Sequence, residues 1–593
     1  MSFKNIAPIV VVLCVVSLLL SACAPQASAP TTIPVLLVAA SPTSAAPVEA
    51  PPTGTPSPSG LFLTAAVPAA LRAQAQTWPL PAASFASVDV SVNPADPASL
   101  QLQWVYALVA PFPTVADGVT SDELKQAWMQ GAAPAPFSGV PLLMEDSTLA
   151  AFTALWGEPA PGAVRSVPAD QLLETAWSGL PSWAIVPFES LAPKWKVLTV
   201  QGTSPIRKDF DPVLYPLIVP FALSTSPELD PASLIAYPSN YDYSKLTTVI
   251  ITGVTALVRA TALTMEVKGV TYPGEVIRDV MRQADIAHVS NEIPFYTGCP
   301  FPRPDQAALV FCSNPKYIEL LNDVGADVIE LTGNHFADRG AKGMIETIDI
   351  YKQNNLPYFG GGLDLQDSLK PTLFEVNGSK IAFIGCNRPD VGKFPTATEA
   401  RPGAAPCDFP YLQAEIGRLK AEGYLVISTF QWNENYDHEP HILQIKDFQF
   451  VAAAGADIVS GSQAHYAQRM EFYNDSFIHY GLGNLFFDQM GDQAWMPYGI
   501  RREFLDRYVI YDNKFISAEI LTALLEDYAR PRWMTAEERA KFLREYFFHS
   551  GWLPTLDATL TPTLTPTLTP LPTVALPVGT SDLLPLLTAS PSP

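Results

Sequence analysis

Asn334, His335 and Asp338 are the residues of this chain best placed to do chemistry. They lie in the stretch Val328-Ile-Glu-Leu-Thr-Gly-Asn-His-Phe-Ala-Asp-Arg-Gly340. Its first half is apolar and β-branched, the pattern of a buried strand. Thr332-Gly333 ends that strand, Asn-His-x-x-Asp follows at once, and a helix-like run (Met344, Ile345, Ile348) opens after Gly340. In an open α/β sheet, ligands bind at the carboxyl ends of strands. An imidazole near a carboxylate can hold and move a proton, and Asn and His can both ligate a divalent cation. His335 and Asp338 are therefore the candidate catalytic pair, and Asn334 is a candidate metal ligand. A capped strand-to-helix turn would use Asn334 equally well and leave His335 incidental. The stretch alone leaves both readings open.

Strands that end in polar groups recur on either side of it. Thr247–Gly253 is a short apolar strand, a helix is expected around Pro273–Ala284, and Asp285–Glu292 is a strand closing on Asn291-Glu292. A helix at Tyr317–Val324 leads into the opening stretch. Two alternating runs, Thr372–Val376 and Lys380–Gly385, flank Asn377-Gly378, a strong hairpin signal. After a helix at 411–421, Leu425–Phe430 ends at Gln431-Trp-Asn-Glu-Asn-Tyr436. After a helix at Leu443–Ala454, Asp457–Ser460 ends at Gly461-Ser-Gln-Ala-His465. The hairpin Met470–Ile478 runs into Tyr480-Gly-Leu-Gly-Asn484. This alternation predicts an α/β domain over residues 245–525.

The order of these motifs resembles the CapA family, proteins associated with poly-γ-glutamate capsule synthesis and built on the calcineurin-like metallophosphatase fold. Gly253-Val-Thr-Ala-Leu-Val-Arg259 stands where the family has Gly-Asp-x-x-x-x-Arg, and Asn291-Glu292-Ile-Pro stands for Asn-Leu-Glu-x-Pro. Gly333-Asn-His-Phe-Ala-Asp-Arg-Gly340 stands for Asn-Asn-His-x-x-Asp-x-Gly. Gln431-Trp-Asn-Glu-Asn-Tyr436 stands for His-Trp-Gly-x-Glu-Tyr. Gly461-Ser-Gln-Ala-His465 and Tyr480-Gly-Leu-Gly-Asn484 stand for Gly-x-His-Pro-His and Tyr-Ser-Leu-Gly-Asn. The resemblance implies a four-layer, metallophosphatase-like sheet sandwich over 245–525, preceded by a separate α/β domain.

It also implies where the chain departs from a two-metal site. Val254 replaces an expected Asp, and Gln431 and Gln463 replace expected His residues. Two-metal sites neutralise charge and generate a hydroxide through carboxylates and imidazoles, whereas a carboxamide is neutral and Val is no ligand. The ligands that remain are Asn334, His465 and Glu292, a weak or vestigial set. The other cleft residues by this resemblance are Asn291, Arg259, Gln431, Trp432, Glu434, Gln463 and Asn484. Asp437-His438-Glu439 offers substitute ligands. The cofactor expected is one divalent metal (Mn, Zn or Fe) or none. The function expected is synthesis or export of a poly-γ-glutamate-type polymer through binding. The alternatives are a metal-dependent phosphoesterase or polymer amidase with altered ligands, and a solute-binding receptor.

The receptor alternative comes from residues 61–240. Leu102–Ala110, Trp183–Phe188, Trp195–Val200 and Tyr215–Val219 read as strands, and Thr120 or Ser121 before Glu123-Leu124 as a helix N-cap. The order loosely resembles one lobe of a type-2 periplasmic solute-binding protein. Residues 526–556 are expected to be a C-terminal helical segment. Residues 24–60 and 557–593 are rich in Pro, Thr, Ser and Ala, too poor in buriable surface to fold, and read as a tether and a tail.

With 593 residues the chain exceeds a single core. A formal charge of −22 argues against a nucleic-acid partner, which selects a basic face. The partners expected are a polyanionic or peptide-like polymer and capsule-synthesis membrane proteins. Lys4, the apolar run Ile9–Leu20 and then Ser21-Ala22-Cys23 read as a secretion signal over residues 1–23. Leu20-Ser-Ala-Cys23 resembles a bacterial lipobox, which implies lipid on Cys23, export, and anchorage on the extracytoplasmic face of the membrane. Export permits disulfides. Cys299, Cys312, Cys386 and Cys407 allow three pairings, and the local pairs Cys299–Cys312 and Cys386–Cys407 are the expected ones. A Cys23→Ser variant is expected to lose lipid and leave the detergent phase. Wild-type partitioning of that variant would remove the lipobox reading.

Overall fold

Successive residues along the central strands face two different cores, and this alternation builds the fold. The computed structural model describes residues 59–92, 99–131, 136–137, 139–389, 392–491 and 499–555. The leader with Cys23 and most of both low-complexity segments lie outside them. In the strand Leu246–Thr252, Val249 and Ile251 enter one apolar cluster with Phe383, Ile427 and Ile458. Ile250, between them, enters another with Met265, Leu320, Met344 and Ile348. In the strand Ser379–Asn387, Ile381 and Phe383 face the first cluster, while Ala382 and Ile384 face a third that holds Leu412, Ile416, Phe448 and Val451. Two sheets therefore pack face to face, and each carries helices on its outer face. This is the expected four-layer sandwich.

The first sheet runs Tyr358–Phe359, Val328–Glu330, Ile286–Asn291, Leu246–Thr252, Arg502–Tyr511, Lys514–Glu526, Arg530–Trp533. Its first four strands are parallel and its last three form an antiparallel meander. The second runs Thr372–Val376, Ser379–Asn387, Leu425–Gln431, Ile458–Ser462, Ser476–His479, Met470–Tyr473, parallel at the centre and closed by a hairpin at either edge. The Asn377-Gly378 hairpin forms where the sequence places it. The sheet continues past residue 525 to Trp533, so only Ala536–His549 of the C-terminal segment is helical. Both disulfides, Cys299–Cys312 and Cys386–Cys407, are formed.

The described residues before 243 carry a third sheet, ordered Gly60–Leu63, Phe85–Val90, Ile218–Thr225, Leu100–Pro111, Trp183–Pro187, Leu142–Met144, Val164–Ser166. The strand expected at Tyr215–Val219 begins instead at Ile218 and runs on to Thr225. Thr120 caps the helix Ser121–Gln130 in a reciprocal arrangement with Glu123. The segment after Leu100–Pro111 is covered by the second domain. Phe112 lies 5.2 Å from Phe472, 5.3 Å from Phe477 and 5.5 Å from Trp552, ring to ring. Asp117 pairs with both Lys196 and Arg539 at 2.8 Å. Burial pulls the Lys196 ammonium down to about 8 against the attraction of Asp117.

Phe112 thus enters the core of the second domain from the end of a first-domain strand. Phe112→Ala is expected to cost about 3–5 kcal/mol, the usual range for a large buried aromatic, measured as a shift in the denaturation midpoint. A loss under about 1 kcal/mol would show that this seam does not support the fold.

Candidate functional site

Close backbone approach brings the strand ends of both sheets to one place. A Cβ on Gly253 would lie 2.2 Å from the Gly483 carbonyl, and one on Gly333 would lie 2.7 Å from the Glu292 Cα. Glycine at these two positions lets the segments 253–259, 291–294, 332–338 and 480–489 crowd together. Val254 donates its N–H to the Gly483 carbonyl at 3.1 Å, and Leu485 donates back to Val254 at 2.8 Å. The Val254 side chain is fully buried with Ala256, Val258, Ile293, Phe311 and Phe487. The position where the resemblance calls for a carboxylate is thus part of an apolar floor.

One half of the polar cluster is centred on Gln431. Its amide nitrogen donates to Glu292 Oε1 at 3.3 Å and to Asn334 Oδ1 at 3.1 Å. Its carbonyl oxygen accepts from the Ser462 hydroxyl at 3.3 Å. Gln431 comes from the second sheet, Glu292 and Asn334 from the first, so these bonds cross the sandwich. Glu292 is 2% exposed, and its Oε2 has no hydrogen-bond partner among the described residues. The N–H groups of Gln431 therefore point at the two oxygens that a cation would need. The amide takes one lone pair on each of these oxygens while Glu292 Oε2 stays free, so the set suits one weakly held cation at most and not a pair. Among the described residues no three His, Cys, Asp or Glu side chains converge on one point.

The other half is centred on His465. Its Nδ1 is 2.9 Å from Asn484 Oδ1, and Asn484 donates in turn to Gln489 Oε1 at 3.0 Å. Gln489 donates to the Tyr436 hydroxyl at 3.3 Å. The outer ring nitrogen of His465 faces Glu434 Oε1 at 3.9 Å, and the Glu434 side chain is 51% exposed. Gln463 is buried with its Oε1 unpartnered. Arg259, Gln463 and His465 all have positive φ, at 44°, 70° and 54°. Non-glycine residues are seldom held there except where the surroundings fix them, and such residues gather at functional sites.

His335 and Asp338 form the pair that the sequence suggests, Nδ1 to Oδ2 at 2.8 Å. Asp338 Oδ2 also accepts the Phe311 N–H at 2.6 Å. The Phe311 ring lies 4.9 Å from the imidazole. Burial works against the imidazolium, but the hydrogen bond to Asp338 and the Glu292 carboxylate outweigh it and raise the His335 pKa. Arg259 is gripped by Asp488 through two nitrogens, with the guanidinium over the rings of Phe311 and Phe487.

Two of the expected cleft residues face elsewhere. Trp432 is the next residue after Gln431, so it takes the opposite face of the chain, where its indole donates to Asp447 at 3.0 Å within the outer helix layer. Asn291 is tied by its amide nitrogen to the Tyr351 hydroxyl at 2.6 Å and the Ile293 carbonyl at 2.9 Å, on the helix side of the first sheet. Nor does His438 offer a substitute ligand. It stacks on His549 of the C-terminal helix at 4.1 Å and pairs with Glu545 at 3.2 Å. Glu292, Asn334, His335, Asp338, Gln431, Glu434, His465 and Asn484 do come together. Sequence reasoning missed Asp488, Gln489 and Ser462. Asp488 and Gln489 fall just beyond Asn484, outside any quoted motif, and only the folded loop shows their partners.

A profile of the family described as "Bacterial capsule synthesis protein PGA_cap" matches residues 248–489. The chain is 28% identical over 251 residues to the "PGA biosynthesis protein CapA" of Bacillus subtilis (strain 168), covering 41% of this chain and 65% of that one. It is 31% identical over 192 residues to the "Capsule biosynthesis protein CapA" of Bacillus anthracis, covering 31% and 46%. The matched region thus falls short of two thirds of either relative's length. Among solved structures, a putative 5′-nucleotidase from Staphylococcus aureus aligns at TM-score 0.30 and 12% identity, over 51% of this chain and 59% of that one. The NAD nucleotidase NadN of Haemophilus influenzae aligns at 0.27 and 12%, over 46% and 48%. Likeness at that level says nothing of activity.

The raised pKa of His335 has a testable sign. A raised folded-state pKa contributes stability that is fully present below the unfolded value of about 6.5 and is lost as pH rises through the folded value. Asp338→Asn is expected to lower the imidazole pKa, read by NMR titration. It is also expected to destabilise the protein most between about pH 5 and 6.5, with the difference shrinking above that range. An unchanged His335 titration would show that Asp338 does not hold the proton.

Proposed function

We infer, for a chain whose residues 248–489 form a domain of the CapA capsule-synthesis family, that the protein acts in the synthesis or export of a capsular polymer of the poly-γ-glutamate type. It acts by holding the polymer and not by phosphoryl hydrolysis. The single observation that carries this reading is the Gln431 amide set between Glu292 and Asn334. A phosphoesterase of this fold class offsets phosphate charge with cations. Here neutral amide donors take that position and leave at most one weakly held divalent ion. The site keeps polar groups suited to a peptide-like chain: Asn334 and His335 are half-buried at its mouth, with the buried amides of Gln431, Gln463, Asn484 and Gln489 behind them. His335, whose pKa is raised by Asp338 and Glu292, favours its charged form more than a free imidazole does, which suits an anionic chain.

In the same reading, the chain is exported and tethered by lipid on Cys23, so the site works on the extracytoplasmic face beside capsule-synthesis membrane proteins. The receptor alternative loses its ground. The described residues before 243 are built on one main sheet of eight strands with a two-stranded one beside it, and Phe112 and Asp117, just beyond the strand Leu100–Pro111, are engaged by the second domain. The hydrolase alternative needs ligands that Val254 and Gln431 do not provide.

Poly-γ-glutamate titrated onto the full chain is expected to bind, with affinity falling as pH rises through the His335 pKa. That slope should disappear in His335→Gln. No phosphodiester hydrolysis is expected with added manganese, whereas the triple change Val254→Asp, Gln431→His, Gln463→His should raise metal binding. Turnover of a phosphodiester by the wild-type protein would overturn the reading.

A further inference from the structure

Beside the site, on the other side of Phe311, the disulfide-closed loop Cys299–Cys312 roofs a cavity of about 280 Å³. Three cations reach its wall. Arg259 is paired with Asp488, and Lys316 is paired with Glu266 at 2.7 Å. Arg339 differs. No carboxylate pairs with it among the described residues, its one hydrogen bond is a long contact of 3.4 Å to the Val310 carbonyl, and its Nε–H is buried with no partner. A buried donor of this kind is costly to a fold unless something uses it. Pro300, Phe301 and Phe311 supply apolar wall, Glu266 is the one carboxylate in the lining and is taken up by Lys316 and Tyr317, and Phe301 is 66% exposed at the rim.

We propose that Arg339 and this loop form a carboxylate-binding subsite contiguous with the main site. The guanidinium presents a planar fork that matches a carboxylate through two parallel hydrogen bonds. The proline and phenylalanine walls suit the methylenes that separate carboxylates along a γ-linked chain. Phe311 is the shared wall, with one face toward His335 and the Arg259 guanidinium and an edge in the cavity. A polymer lying across the site therefore places a pendant carboxylate on Arg339 while the rest of the chain runs past Phe311 toward His335. The identity of the polymer rests on the reading above; the affinity of Arg339 for a carboxylate does not.

The test separates the two. Phenylglyoxal modification of the full-length protein, mapped by peptide mass, is run with glutarate, with inorganic phosphate, with poly-γ-glutamate and with none of these. Arg339 is expected to be protected several-fold by glutarate and by the polymer, and less by phosphate at equal concentration. Arg339→Gln is expected to weaken polymer binding about tenfold, with both disulfides still mapped as formed, and Arg339→Lys to recover only part of it. Equal modification of Arg339 with and without glutarate overturns the subsite, as does protection by phosphate alone. Wild-type polymer affinity in Arg339→Gln also overturns it and leaves the proposed function standing. Protection by glutarate with no polymer binding supports the subsite and overturns the proposed function.

Discussion

A carboxylate buried at the meeting of two sheets sets the terms for this site. Glu292 is 2% exposed, and a charge removed from water needs compensation close by. The compensation comes from two directions: the Gln431 amide from the opposite sheet and the nearby His335 imidazole. Hydrogen bonds to a charged acceptor contribute about 1.5–3 kcal/mol each when buried. The same bonds therefore hold the sandwich together at its strand ends and fill the position between Glu292 and Asn334. Structural support and the electrostatic character of the site are one set of contacts.

That coupling explains the tolerance of a fold class suited to two cations for their replacement. When Val254 takes a carboxylate's position, the segment joins the apolar cluster with Phe311 and Phe487 instead of leaving a hole. When Gln431 takes an imidazole's position, its donor reaches the same oxygens. The scaffold keeps its strained positions, with Arg259, Gln463 and His465 still in left-handed backbone. What results is a cleft backed by buried amides with one imidazole of raised pKa at its mouth, better matched to an extended anionic chain than to a phosphate ester.

The sandwich is legible in the sequence because its central strands are short apolar runs ending in polar groups and its Asn377-Gly378 turn marks a hairpin. The strand-end placement of Asn334, His335, Gln431 and His465 was legible for the same reason. The direction of Trp432 was less so. A polar-aromatic pair at a strand end does not say which residue turns inward until the register of Leu425–Gln431 is fixed against its neighbours. Asn291 was misjudged because its partner Tyr351 is sixty residues away, on a helix whose apolar face gave no hint of a hydroxyl aimed at the sheet. In residues 59–242 the short strands Leu142–Met144 and Val164–Ser166 are only three residues each, too brief for periodicity to register.

The account turns on whether cations or amide donors neutralise Glu292, and metal content decides it most directly. The full-length protein, dialysed against manganese and then against metal-free buffer, is to be assayed by elemental analysis. The account predicts well below one metal per chain. Two retained metals per chain would contradict it, because with Val254 in an apolar cluster and Gln431 donating to Glu292 and Asn334 too few ligand atoms remain for two cations.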